Sequence, residues 1–171
     1  MGEIRNGTPW QGRTIESGTA TLLTFGNGAA AMGIDATTGE RGNLVKLVNR
    51  TGGASVKGTL VSSSTTADRE AIAQANTYDV IAVVQQAGVA EGAEMWCWMV
   101  GSICQVLYKN STAATRGNVL VADAVNGRGS DIANPGGGLP GVDLHFSENG
   151  HVLETKGAGT NVLVLCSFHV N

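Results

Sequence analysis

Apolar residues along this chain recur mostly at every second position, which is the spacing of half-buried strands and not of a helix face. Leu44-Val45-Lys46-Leu47-Val48 reads as a strand, with Thr51-Gly52-Gly53 as the turn that ends it. Thr59 to Ser62 is a second short strand. Val80-Ile81-Ala82-Val83-Val84 is apolar without interruption, which suits a central strand covered on both faces. Val119 to Val121, His151 to Glu154 and Val162 to Val170 complete the set, and Gly or Asn punctuates nearly every gap. The one expected helix is Asp68 to Asn76, which is rich in Ala and Glu but has Ile72 as its only large apolar residue.

The most distinct local unit is a predicted hairpin. Met95 to Val100 and Ile103 to Tyr108 flank Gly101-Ser102, and a two-residue Gly-X loop suits a type II′ turn. That register sets Val100 opposite Ile103, Trp98 opposite Gln105 and Trp96 opposite Leu107. Both faces of such a hairpin are apolar, so it is expected to be covered by the core on one side and by a second sheet or a neighbouring subunit on the other. An internal repeat aligns Ala54 to Val61 with Ala113 to Leu120, each passing through a basic residue and a Gly into a β-branched run. Two similar corners fit one barrel or sandwich. Residues 1–41 differ: they are rich in Gly and Thr, with Trp10 and Leu22-Leu23-Thr24-Phe25 as the main apolar anchors. They are read as an extended N-terminal arm that packs on other chains, ahead of a β-barrel or sandwich domain at 42–171.

Composition sharpens this picture. The 171 residues suit one domain, and a chain of this size buries roughly 70% of its unfolded surface without needing a disulfide or metal. Only 15% of residues are charged, against about 25% in ordinary domains. With 25 glycines in the chain, the expected surface is neutral and small-grained and can press closely against neighbouring subunits. The net charge is −3 and Lys and Arg are scattered, so no nucleic-acid partner is expected. No apolar stretch reaches the ~18–20 residues of a membrane span. The N-terminus has no secretory core, and Asn6 breaks the myristoylation pattern. Cys97, Cys104 and Cys166 each sit in an apolar run and read as buried thiols made in a reducing cytosol, with a Cys97–Cys104 disulfide left open.

Candidate chemistry is thin. Gly26-Asn27-Gly28-Ala29-Ala30-Ala31 brushes the dinucleotide fingerprint, but Gly33 and Gly39 interrupt the helix that motif requires. His145, His151 and His169, with Asp143, Glu148 and Glu154, contain the residue types of a metal site. Their irregular spacing favours hydrogen-bonded strand and surface roles, so no metal, cofactor or catalytic residue is expected. Trp96 and Trp98 suit core or interface packing better than a sugar platform. The triple glycine Gly136 to Gly138, between Pro135 and Pro140, lacks the basic partner of a phosphate cradle.

From about Leu44 to Asn171 the chain resembles the small capsid-decoration (cement) proteins of tailed bacteriophages. The resemblance is carried by Leu47-Val48-Asn49-Arg50-Thr51-Gly52, Ser55-Val56-Lys57-Gly58-Thr59 and Val80 to Gly88. It continues in Gly150-His151-Val152-Leu153-Glu154, Gly157 to Leu163 and the closing His169-Val170-Asn171. It implies an all-β, β-tulip-like module without catalytic residues, often a homotrimer, made in the host cytoplasm and bound to the capsid exterior. The implied partner is the major capsid protein shell. Candidate assembly contacts are Trp10, Leu22, Leu23, Phe25, Trp96 and Trp98. The alternatives are another virion component (a tail-tube subunit or a fibre adhesin) and a carbohydrate-binding or small hydrolytic β-domain.

Overall fold

The computed structural model describes residues 13–17, 20–25, 30–74, 79–133 and 148–169, with side chains from residue 32 onward. The fold is all-β, with thirteen strands in one mostly antiparallel sheet and no helix among the described residues. β1 (Arg13–Ser17), β2 (Ala20–Phe25) and β3 (Ala30–Asp35) form a meander that pairs in order and runs onto β4 (Glu40–Asn49). The boundary drawn between residues 41 and 42 therefore falls inside β4.

β4 organises everything that follows. β3 and then β6 (Glu70–Ala73) pair along one of its edges, while β8 (Glu94–Met99) and β9 (Ser102–Leu107) pair along the other. With β5 (Leu60–Ser63) and β7 (Ala82–Val84), the pairing path β4-β6-β5-β7-β8 returns to β4 and closes a five-stranded ring. A second ring follows from β9, β10 (Val119–Ala122), β11 (Gly129–Ile132), β12 (Glu148–Val152) and β13 (Leu163–Phe168). It closes where Tyr108 bridges Gly129 in parallel.

The two rings share topology and register. Leu60↔Val83 and Val61↔Ala82 in ring one recur as Val119↔His151 and Leu120↔Gly150 in ring two. Val84↔Cys97 recurs as Val152↔Cys166, and Val45↔Cys97 as Cys104↔Cys166. The parallel closure Asn49↔Ala71 recurs as Tyr108↔Gly129. Turn hydrogen bonds obey the same correspondence: Gly58 N to Val84 O matches Gly117 N to Val152 O. The short repeat at Ala54 to Val61 and Ala113 to Leu120 is thus one corner of a duplication that embraces all five strands of each ring.

The lining of ring one explains why these residues form so small a closure. Leu47, Val61, Ala71, Ala82, Val84, Met95 and Cys97 converge as one buried cluster, with two small alanines among its members. Gly129 and Gly150 replace those alanines in ring two. A Cβ at Gly129 would come within 2.9 Å of Val106 Cγ1. The larger cluster joins the lining of ring two, including Val106, Leu120, Val164 and Phe168, to the outer face of ring one at Leu44, Leu60, Val83 and Trp98. The two rings therefore share a core.

Three sequence expectations require correction. The predicted hairpin does not form: β8 pairs with β4 and β7, and β9 pairs with β13 and, at Arg41, with β4. Between the pairs Leu44↔Trp98 and Arg41↔Ile103, β4 supplies Gly42 and Asn43 while the opposing chain supplies Met99 to Ser102. The connection is a bulge that carries one long strand from ring to ring, and Gly101 (φ +87°) serves that bend. The helix expected at Asp68 to Asn76 is also absent. Arg69 is left-handed (φ +61°) and Glu70–Ala73 is β6, whose Ala71 is small enough to line the ring; residues 75 and 76 lie outside the described residues. The strand expected at His151 to Glu154 begins earlier, at Glu148, because a bulge near Gly150 lets β12 follow β10.

The paired turns give a direct test. Gly58 and Gly117 both adopt positive φ (+83° and +87°), but only Gly58 is docked: a Cβ there would lie 2.6 Å from the Leu107 amide nitrogen. Gly117 has nothing within 4 Å. Gly117→Ala should cost only the left-handed penalty of about 1–2 kcal/mol. Gly58→Ala should cost clearly more, because it also breaks the 2.8 Å bond from Leu107 N to Gly58 O. Urea midpoints of the two variants measure the difference, and equal shifts would refute the docking.

Candidate functional site

A heavily engaged polar group is the carboxylate of Glu40, only 1% exposed at the head of β4. Its Oε1 accepts hydrogen bonds from Trp98 Nε1 at 3.1 Å and the Gln105 amide at 3.0 Å. Its Oε2 accepts from Thr38 Oγ1 at 2.9 Å and from the Lys57 ammonium. The first two donors belong to β8 and β9, on either side of the bulge, so one side chain bridges the place where no backbone pairing is available. Buried ion pairs are tolerable when their remaining lone pairs are used, and here they are. Nearby, Asp35 feels burial, which opposes ionisation. The Thr38 and Thr37 amides, the Thr38 hydroxyl and Lys57 together outweigh it and hold the carboxyl below its ordinary value. These groups are structural.

The three thiols are free and buried, and Cys104 and Cys166 face each other across β9 and β13. Burial pushes the Cys97 pKa up to about 12 and raises those of Cys104 and Cys166 as well. A thiol so placed is a poor nucleophile and metal ligand at neutral pH.

Ring two brings together a cluster that the spacing had spoken against. Glu148, His151 and His169 place one ligand atom each within 4.8 Å of the others. His151 Nδ1 lies 3.1 Å from His169 Nε2, and Glu148 Oε1 lies 3.4 Å from each nitrogen. Of the other residues considered with them, Glu154 stands apart, accepting the Leu165 amide at 2.7 Å and facing Lys156. Asp143 and His145 lie outside the described residues. A groove of about 440 Å³ is lined by Thr51, Val56, Leu107, Arg128 and Asn161, among others. Its one titratable side chain, Arg128, is bound to Tyr108 O, Asn110 and Asn161.

The proposed assembly contacts fare unequally. Trp96 and Trp98 are buried within the chain, 9% and 0% exposed. Trp98 is held by Glu40, and Trp96 lies under Lys46 with the ammonium 5.3 Å from the ring centroid. They are core residues and not surface anchors, because both faces of β8 are covered intramolecularly. Trp10 lies outside the described residues. Leu22, Leu23 and Phe25 lie on β2, whose backbone alone is described. Large apolar side chains are exposed at several places, including Val56, Val125 and Ile132, and two of them lie side by side on β3: Met32 is 51% exposed and Ile34 60%. They share a face with the exposed Arg41 and Asn43 opposite them, while Gly33 between them turns inward against Leu44 and Trp98.

Two outcomes follow. Glu40→Ala removes the acceptor for Trp98 and Gln105 and strands Lys57, so it should destabilise the fold by about 3–5 kcal/mol in denaturant melts. A loss below about 1 kcal/mol would show that the bridge is dispensable. A colorimetric disulfide reagent at pH 8 should titrate none of the three thiols in the folded protein and all three in guanidinium. Rapid labelling of the native protein would contradict their burial.

The chain matches no protein-family model, and a search of curated proteins finds no relative for it.

Proposed function

We propose that this protein is a non-catalytic virion structural protein that binds the outside of an assembled phage capsid and stabilises it by bridging capsomers. The observation that carries this reading is the apolar face of β3, where Met32 and Ile34 stand exposed on a meander built outward from β4. Exposed apolar side chains rimmed by polar ones are a common mark of an interaction surface, and here Arg41 and Asn43 supply the rim. Among the described residues β1 pairs only with β2, so its outer edge is a further template for strand addition. The low charge fraction supports close neutral packing against a shell and against copies of the chain, a homotrimer being the expected state. The resemblance to capsid-decoration proteins read in the sequence from about Leu44 to Asn171 supports the same reading. A ligand that prefers the expanded shell stabilises that state by mass action, and many weak contacts repeated over a shell add through multivalency.

Cosedimentation with expanded empty shells tests the proposal. The full chain should pellet with expanded shells and not with unexpanded precursors, and the pair Met32→Asp and Ile34→Asp should weaken binding at least tenfold without lowering the melting temperature. Sedimentation velocity of the free protein should give a trimer. A monomer that ignores shells would overturn the reading.

A further inference from the structure

We propose that Glu148, His151 and His169 form a binding site for a first-row divalent metal ion of the zinc class, with three protein ligands and one exchangeable position.

The geometry of the donor atoms is the first support. The triangle of His151 Nδ1, His169 Nε2 and Glu148 Oε1 has edges of 3.1, 3.4 and 3.4 Å. A tetrahedral zinc ion with bonds of 2.0–2.1 Å separates its ligand atoms by ~3.3–3.4 Å. The three atoms thus already outline one face of a coordination tetrahedron, and little rearrangement is needed to admit the ion at its centre. Two imidazoles and a carboxylate are also a donor set suited to zinc and its neighbours. Glu148 is the anchored member, its side chain 10% exposed, while His151 (40%) and His169 (34%) open to solvent and leave room for an exchangeable ligand.

The backbone is arranged to bring these residues together. In a regular strand, residues 148 and 151 would face opposite sides. On β12, however, Val119 pairs with His151, Leu120 with Gly150 and Val121 with Glu148, which leaves Asn149 as an extra residue. The resulting bulge turns Glu148 onto the face of His151, as bulges often do beside functional sites. Gly150 makes it possible: its φ is +136°, and a Cβ there would overlap the Ser167 carbonyl oxygen. His169 reaches the same face from the end of β13, its amide bonded to Asn149 O at 3.2 Å.

Ring one supplies an internal comparison. By the shared register, His151 corresponds to Val83, and His169, one residue past the Gly150↔Phe168 pair, corresponds to Val100 beyond Ala82↔Met99. Glu148, two residues before Gly150 as Val80 is two residues before Ala82, completes three valines in ring one against a Glu and two His in ring two. The ring closes without the polar trio, so the fold does not require it. Ligation needs a lone pair on both facing nitrogens, so each neutral imidazole would carry its proton on its other ring nitrogen when the ion is bound.

The test uses the untagged full chain, stripped with chelator, dialysed and titrated with zinc chloride by calorimetry, with cobalt(II) absorption as a second readout. One zinc per chain should bind saturably, and cobalt should give the intense visible bands of tetrahedral coordination. His151→Val and His169→Val borrow the residues that ring one carries at these positions, so they should fold. Each should weaken zinc binding at least tenfold and abolish the cobalt bands. Glu148→Gln, which keeps the shape and removes the charge, serves as a third variant should either valine disturb the fold. Absence of saturable uptake by the native chain, or undiminished uptake by the folded variants, would overturn the proposal.

Discussion

A carboxylate sealed at the start of β4 holds together the point where the two rings of the sheet meet. The chain leaves ring one along β8, bulges at Val100 and Gly101, and enters ring two as β9, all beside the same strand. At that bulge the backbone ladder is interrupted, and Glu40 spans the gap to Trp98 on one side and Gln105 on the other. The charge is compensated by Lys57, which rides on the turn that docks ring one against ring two. One ionic group therefore couples the strand junction to the ring contact. An apolar side chain at position 40 could fill the volume but could not satisfy these donors.

Closure of each sheet through a parallel contact solves the edge problem within a short chain. Both rings use the sequence of one strand, a type of turn with Gly at its left-handed corner, and an antiparallel pair that leads back to the start. Sharing a core then offsets the small interior of each: ring one lines itself with alanine, valine and thiol and presents Leu44, Leu60 and Trp98 to its twin. The N-terminal meander extends the sheet from the part of the β4 edge that β6 leaves open.

Much of the fold was legible because alternation and glycine position are local signals. Leu44 to Val48, Val80 to Val84 and the C-terminal run all lie in or over strands, and Lys57-Gly58 and Arg116-Gly117 announced the duplicated turn. What misled was chemistry that serves two geometries equally well. A glycine able to take φ > 0 suits a hairpin turn and a bulge alike, so Gly101 could not reveal which partner its flanking strands would choose. Alanine suits a helix in isolation and a cramped ring wall in context, so Ala71 and Ala73 pointed to the wrong element. The cluster at Glu148, His151 and His169 was hidden for a related reason: an inserted residue changes which side chains share a face, and spacing alone does not register it.

The unequal docking of the twin turns also bears on how the chain can change over time. Gly58 answers to two demands, a left-handed backbone and a lack of space, whereas Gly117 answers only to the first. Asparagine, which tolerates the left-handed region, could take the place of Gly117 but not of Gly58. Selection should accordingly hold the first copy of the duplicated unit closer to its ancestral form. The second copy, with its corner in solvent, is freer to drift, and it is there that a glutamate and two histidines stand where the first copy carries valines.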